Sequence, residues 1–297
     1  MSGSRRRVAH DNETSLIQYD EAAQAAAAQV IRRYSTSFGV GARMLPRPMR
    51  RHIESIYAMV RIADEVVDTY RGADAGAALD GFEATVTGAM AGRFSTDVVA
   101  HAFGVTARAV GITTAMTGPF FASMRADLTV AEHDDESFAR YVYGSAEVVG
   151  EMCLAVFLNT ESGPAPLPSD ASEGARRLGA AYQKVNFLRD LATDAGELGR
   201  SYFPGIDAAT LTNTQVAELV ADCRADIDAA RACLPALPRR ASVAVSTTID
   251  IYTRLLDTIA DTDAKDLARR RVRVPNTTKL VFAARNTWDA RRAGESR

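Results

Sequence analysis

The amino-acid sequence predicts an all-α protein, on three observations. Alanine-rich segments with apolar residues every three to four positions recur along the chain, the strict alternation of a half-buried strand is scarce, and the breaks fall at Gly, Pro and short polar clusters. The first helix is expected at 19–34, after an opening stretch in which Arg5, Arg6 and Arg7 precede polar residues. Residues 1–16 read as a flexible N-terminal arm rather than an export signal. Further helices are expected at 47–70, 77–91, 97–110, 114–128 and 137–158, separated by breaks at 45–48, 71–76 and 111–113. Pro164, Pro166 and Pro168 mark a surface connection at 160–168, followed by helices at 171–195, 215–233, 239–259 and 264–271. No repeat of fixed period and no shift in composition divides the chain. Residues 17–290 are therefore expected to form one helical domain, with a flexible C-terminal tail at 291–297.

Bulk properties narrow the function only by exclusion. A chain of 297 residues, 47% apolar and 24% charged, is long enough to bury a large core or enclose a cavity. Lys plus Arg (35) nearly balance Asp plus Glu (37), so nothing global points to nucleic acid, and any electrostatic function is local. Cys153, Cys223 and Cys233 lack the paired spacing of a zinc site, and a reducing cytoplasm is expected. No uninterrupted apolar run approaches the roughly 18 residues of a membrane span, so the chain is expected to lie on a membrane rather than cross one.

Two acidic constellations carry the chemistry. In the expected helix at 47–70, Tyr57, Arg61, Asp64 and Asp68 share a narrow stripe, because helical residues advance by about 100°. Ile56, Val60, Ala63 and Val67 form an apolar stripe beside it, which draws this face inward. The alternative is a solvated acidic face partly neutralised by Arg61. A second row, Gln183, Asn186, Asp190 and Asp194, lies in the helix at 171–195 and is flanked by Val185, Leu188, Leu191 and Ala192. Carboxylates and a carboxamide without His or Cys suit a hard ion such as Mg²⁺, which keeps several waters and is commonly completed by phosphate. Each close pair of like charges costs about 1 kcal/mol in water and several times more in a partly dry cleft. A cation converts that repulsion into a clamp on a diphosphate and makes it a better leaving group. Arg61 and Arg189, with Arg269, Arg270, Arg271 and Arg273, can add positive charge on the departing oxygens.

At these residues the sequence resembles the squalene/phytoene synthases, the head-to-head branch of the class I isoprenoid synthases, from about residue 34 to 280. The resemblance rests on the order and intervals of several motifs. They are Ser35-Thr36-Ser37-Phe38, the Arg61 to Asp68 segment, the stretch from Tyr141 to Gly150, Asn186 to Asp190 with Asp194, Gly199-Arg200-Ser201-Tyr202-Phe203-Pro204, and Arg270-Arg271-Val272-Arg273-Val274. It implies a class I isoprenoid synthase helical bundle with a central cavity and the two acidic motifs facing each other at its mouth. The family's metal ligands carry over to Asp64, Asp68, Asn186, Asp190 and Asp194, with Glu65 at the second acidic position. Arg61, Gln183, Arg189, Tyr252 and Arg271 are the implied substrate contacts, together with Ser35, Phe38, Tyr57, Tyr141 and Ala146; Arg200 and Tyr202 lie in a segment like the family's flap. Tyr141 and Tyr252 have the alternative of simply packing in the core.

The implied reaction ionises one prenyl diphosphate to an allylic cation. That cation attacks a second molecule to give a cyclopropylcarbinyl diphosphate, and a second ionisation opens the ring to join the chains head to head. Water destroys such cations, so the cavity is expected to be dry, with Phe38, Tyr57 and Tyr141 as wall residues. The expected cofactor is Mg²⁺, with Mn²⁺ as the alternative; NADPH is not expected, and no Gly-rich dinucleotide fingerprint is present. Phytoene from two geranylgeranyl diphosphates is the expected product, with squalene or dehydrosqualene from farnesyl diphosphate as the nearest rival. A non-catalytic binding protein of the same fold is the rival from another class. The sequence departs from the family at Glu147, an acid where a small residue is usual, which is expected to face outward or pair with a cation. Peripheral contact with the inner face of the cell membrane is expected through the basic segment from Arg269 through Lys279 and Arg285. The oligomeric state is left open.

Overall fold

The structure is a computed structural model that describes the backbone of residues 2–70 and 72–295, with side chains within 14–292 except at 71, 197 and 198. Among the described residues there are thirteen α-helices and no strand; a single bridge between Glu132 and Ser201 is the one β pairing. The helices are α1 (Ser2–Tyr34), α2 (Ser37–Met44), α3 (Arg47–Asp64), α4 (Ala75–Met90), α5 (Val98–Val110), α6 (Thr114–Ala126) and α7 (Asp135–Val142). After them come α8 (Val148–Asn159), α9 (Ser169–Thr193), α10 (Asn213–Cys233), α11 (Arg239–Ala260), α12 (Ala264–Leu267) and α13 (Asn276–Glu295). The arm expected over 1–16 falls in α1, whose side chains are described only from residue 14; the tail expected over 291–297 falls mostly outside the described side chains.

Capping chemistry moves several helix starts. Asp97 accepts from the backbone N–H groups of Val99 and Ala100 and starts α5 where expected, and Gly111, at φ 84°, ends it. Reciprocal boxes between Asp134 and Ser137, and between Thr212 and Gln215, start α7 and α10 two residues ahead of the positions read from periodicity. Three expected rods contain a π-turn: Glu65–Thr69 after α3, Tyr143–Glu147 between α7 and α8, and Asp194–Leu198 after α9. Each widened turn falls within a motif, where it re-aims the side chains that follow.

Two helices escape the periodicity reading, and one expected helix is cut short. α2 holds Gly39 and Gly41, poor helix formers; a Cβ at Gly41 would lie 2.5 Å from Thr248 Cγ2 of α11, so glycine is what lets the two helices meet. α13 lacks the usual polarity. The segment after α12 leaves the helix at Ala268, short of the expected end at 271, and Val272 and Val274 are buried in the non-helical backbone that follows.

Packing divides the apolar residues into two cores. Residues of α1 to α6 and α8 build one around Ile53, Met59, Phe103, Phe120 and Phe121; α7, α9, α10, α11 and α12 build the other around Leu188, Ile249 and Leu256. Fully buried Ala23, Ala27, Ala58, Ala63 and Ala100 let the α1, α3 and α5 backbones approach closely. The apolar rod from α7 through α8 is long enough to cross a bilayer, yet most of it is buried inside the bundle as a core helix. Between the two cores lies a cavity.

Candidate active site

The cavity has a volume of about 540 Å³ and is lined from α2, α3, α8, α9, α11 and the π-turns. It is polar at one end and apolar at the other. Arg61, Asp64, Asp68, Asp127, Gln183, Asn186, Arg189, Asp190, Asp194 and Arg271 gather at the polar end, whereas Val149, Cys153, Phe157, Leu178, Leu234 and Leu237 line the rest. Of the residues read from sequence, Ser35, Phe38, Tyr57, Tyr141, Ala146, Tyr202 and Tyr252 also border it. Glu65 and Arg200 do not.

The two acidic motifs face each other, as their mutual electrostatics show. Asp64 is pushed up to about 7, first by burial and then by the charge of Asp68, with Arg61 opposing. Asp194 is also pushed up to about 7, by burial, then by Asp190 and by Asp68 from across the cavity. The Asp64 side chain is 32% exposed, and that exposure is toward the cavity it lines. Four carboxylates and the Asn186 carboxamide, carrying surplus negative charge, fit a hard, oxygen-seeking cation. Among the described residues no three already converge as a closed cage, so an ion held here would be shared by the facing pairs and completed by phosphate and water.

Arginines occupy part of that acidic set. Arg189 Nη2 donates to Asp190 Oδ2 at 2.5 Å, and Arg271 Nε reaches Asp190 Oδ1 at 2.7 Å. Arg61 is 3.8 Å from Asp64, lies over the Tyr34 ring at 4.6 Å, and pairs with Glu65. Glu65, expected as a ligand, is instead held by Arg61 four residues back and does not border the cavity in this state. Arg200, expected as a substrate contact, does not border this cavity but lines an adjoining one together with Asp194 and Tyr202. Its Nη1 donates to Asp68 Oδ1 at 2.7 Å and its Nη2 to the Val67 carbonyl at 3.1 Å, so it positions an acid.

Sequence reasoning missed Asp127. This buried carboxylate accepts from the Tyr141 hydroxyl at 2.8 Å and the Tyr202 hydroxyl at 3.1 Å, with Arg200 3.6 Å away. Burial pushes it up to about 6, against the opposing pull of Arg200 and the Tyr141 hydrogen bond. It joins both tyrosines, the flap arginine and, through Arg200, Asp68. No local signal marked it: it follows the last turn of α6 without a second acid at helical spacing.

Aromatic faces line the passage from the polar to the apolar end. Phe38 stacks on Tyr57 with centroids 6.0 Å apart, Tyr182 on Tyr252 at 3.9 Å, and Phe187 on Tyr202 at 4.1 Å. Tyr252 OH reaches Asn186 Oδ1 at 3.5 Å, so it borders the acidic row and packs in the core at once. Glu147 does not line the cavity. Burial raises its carboxyl, and the nearby charge of Arg176 opposes that rise. Gly150 borders the cavity only through its backbone, since a Cβ there would stand 2.3 Å from the Ala175 carbonyl oxygen.

Comparison with known proteins identifies the family and the fold. The sequence profile of the squalene/phytoene synthases matches residues 31–278. The chain is 30% identical over 284 residues to a 15-cis-phytoene synthase of a Synechocystis species, covering 86% of this chain and 81% of that protein. It is 29% identical over 177 residues to the 4,4'-diapophytoene synthase of Staphylococcus haemolyticus, covering 59% and 60% respectively. Its structure superposes on a dehydrosqualene synthase with a TM-score of 0.77 at 20% identity, covering 92% and 98% of the two chains. A squalene synthase of Alicyclobacillus acidocaldarius gives a TM-score of 0.72 at 22% identity, covering 84% and 96%. The structural likenesses establish a shared all-α isoprenoid synthase fold. Together with a profile match spanning most of the sequence, they show that this chain belongs to the squalene/phytoene synthase family.

Proposed function

We propose that the protein is a Mg²⁺-dependent prenyltransferase that condenses two geranylgeranyl diphosphates head to head, through a cyclopropylcarbinyl diphosphate, to phytoene. One observation carries this reading: a single cavity joins facing acidic pairs to a long apolar wall without charged side chains. Asp64, Asp68, Asn186, Asp190 and Asp194 would hold the metal, which when bound supplies Lewis-acid withdrawal of charge onto the diphosphate. Arg189 and Arg271, which hold Asp190, are placed to pass from carboxylate to diphosphate oxygens as the leaving group departs. The stacked faces of Phe38 and Tyr57 offer electron density to an allylic cation without a reactive lone pair aimed at it. Cys153 would endanger such a cation as a thiolate, but burial pushes its thiol up to about 12 and keeps it protonated.

The 15-cis-phytoene synthase relative favours the longer product, whereas the 4,4'-diapophytoene synthase relative supports farnesyl diphosphate as the second reading. No step in phytoene formation needs a reductant, so NADPH has no role in this proposal. A hydrocarbon product suits work at the cytoplasmic face of a membrane, to which the protein would bind peripherally.

The test is a competition assay with purified protein, Mg²⁺ and equimolar farnesyl and geranylgeranyl diphosphates, read by mass spectrometry of hexane extracts. A dominant C40 hydrocarbon without NADPH is expected. A dominant C30 product, or dependence on NADPH, overturns the phytoene assignment. No product from either substrate supports the non-catalytic alternative.

A further inference from the structure

The last helix buries polar side chains and exposes large apolar ones. Lys279, Asn286 and Thr287 lie on the face of α13 that packs toward α2 and α11. Lys279 is buried with its Nζ 2.7 Å from Thr36 Oγ1, and Asn286 Nδ2 donates to Thr247 Oγ1 at 3.2 Å and to Asp250 Oδ2 at 2.8 Å. The Leu, Val and Trp side chains of the helix point out, while Phe282 and Ala283 lie half-buried on the inner face. Leu280, Val281 and Trp288 are 61%, 62% and 59% exposed, and Ala284 is exposed between them. At about 100° per residue these four positions fall within an arc of about 100°, so they form one continuous stripe rather than scattered exposed residues. A helix with only water outside would carry the opposite pattern.

Basic groups flank the stripe. The Arg292 guanidinium lies 5.6 Å over the Trp288 ring, Arg291 is exposed in line with the stripe near its C-terminal end, and Arg285, beside it, pairs with Asp250 at 2.8 Å. Arg239, at the start of α11, donates to the carbonyl of Ala290, which brings exposed Arg240 to the same end of the molecule. Most of the segment expected to meet a membrane, from Arg269 through Lys279 and Arg285, is engaged: Arg270 pairs with Asp266, Arg271 with Asp190 and Arg285 with Asp250, and Lys279 is buried. α13 also begins beside the cavity, since Thr36, which receives Lys279, lines it, and half-exposed Tyr34 and Arg271 border its opening.

We propose that the outer face of α13 is an in-plane docking surface for an anionic bilayer. Leu280, Val281 and Trp288 enter the acyl boundary, and exposed Arg291 and Arg240 meet lipid phosphates. The proposal rests on the peripheral-membrane reading above and names its surface. It favours a bilayer over a second copy of the chain because one narrow stripe edged by arginines falls short of the roughly 800 Å² per partner of a stable protein interface. An interfacial helix needs only such a stripe, with Trp at headgroup level.

Trp288 is the single tryptophan of the chain and reports on this face directly. Vesicles of equal phosphatidylglycerol and phosphatidylcholine should shift its emission to the blue and carry the protein upward on flotation, and brominated acyl chains should quench it. Vesicles of phosphatidylcholine alone should bind at least ten-fold more weakly. The double variant Leu280→Asp, Val281→Asp should keep its helical circular dichroism and lose flotation at least ten-fold, and Arg291→Glu should weaken binding to anionic vesicles several-fold. Flotation that persists in the double variant without a Trp288 shift would overturn this surface and spare the membrane reading. Failure to float at any ionic strength would overturn both and leave the prenyltransferase reading, whose assay needs no membrane, untouched. A blue shift that grows with protein concentration in the absence of vesicles would assign the face to a second copy instead.

Discussion

Asp127 is the residue on which most of the site's polar order converges. Two tyrosine hydroxyls donate to it, and Arg200 stands between it and Asp68, so one buried carboxylate sets the flap, the cavity wall and one expected ligand. Replacement by Asn keeps the shape but puts an amide donor against two hydroxyls and a guanidinium. Asp127→Asn is therefore expected to cost about 1–3 kcal/mol of stability. It should also lower turnover at least ten-fold at saturating Mg²⁺, because Arg200 and Asp68 lose their fixed geometry. Asp127→Leu, which leaves the Arg200 charge with half its partners, should cost roughly 3–5 kcal/mol. Calorimetry and a steady-state assay check both; wild-type turnover in Asp127→Asn would remove the network from the mechanism. The same scale governs Glu65. Helical spacing places it beside the acidic stripe, but Arg61 lies one turn back and takes its carboxylate.

Among the elements, the rod from α7 through α8 divides the labour along its length. Its π-turn carries Ala146 at the cavity wall, and α8 carries Cys153 and Phe157 along the apolar end. Small residues there leave room for a long tail, yet they are not equivalent. A side chain at Gly150 would first strike the α9 backbone at Ala175, so Gly150→Leu is expected to disrupt the packing of α8 on α9 and reduce turnover with every substrate. Cys153 borders the cavity, so Cys153→Phe adds bulk within it, close to the full length of an isoprene unit. That variant should shift preference toward farnesyl diphosphate by ten-fold or more in kcat/KM ratio while leaving the Mg²⁺ requirement unchanged. Equal loss on both substrates would place Cys153 outside the tail path. Elements such as α2 and α13 were illegible from periodicity for a physical reason: one relies on glycine for contact and the other turns its apolar face outward.

At the scale of the whole molecule, facing carboxylates join two cores across a cavity, and their protonation couples that junction to pH. Asp64 and Asp194 have folded values near 7, above the ordinary carboxylate value near 4, so the folded state keeps protons that the unfolded chain releases between about pH 4 and 7. Stability of the metal-free protein therefore falls as pH rises through that window, and the loss is complete above it. His52 and His133, lowered chiefly by burial, act in the opposite sense, so the comparison with Asp64→Asn isolates the carboxylates. The melting temperature of the metal-free wild type is expected to drop from pH 5.5 to 8 more steeply than that of Asp64→Asn. Saturating Mg²⁺ with pyrophosphate should flatten the wild-type curve by replacing the repulsion with a cation. Parallel curves for the two proteins would contradict the coupling.

Local information determined what local physics controls: the helical class, most helix positions, and the two acidic rows whose i, i+4 spacing is readable within one turn. Motif order within the chain was enough to identify the family to which it belongs. Tertiary structure alone decided the rest, because a carboxylate's role depends on which charges surround it after folding. Asp68 acts on Asp194 only when α3 and α9 face each other, and Arg200 reaches Asp68 only when the segment around 199–204 packs against the end of α3. Asp127 gains its partners from segments 14 and 75 positions away. The direction in which α13 presents Trp288 was likewise undetermined until α2 and α11 claimed its polar face, since a helical pattern specifies which residues share a face but not which face meets the core.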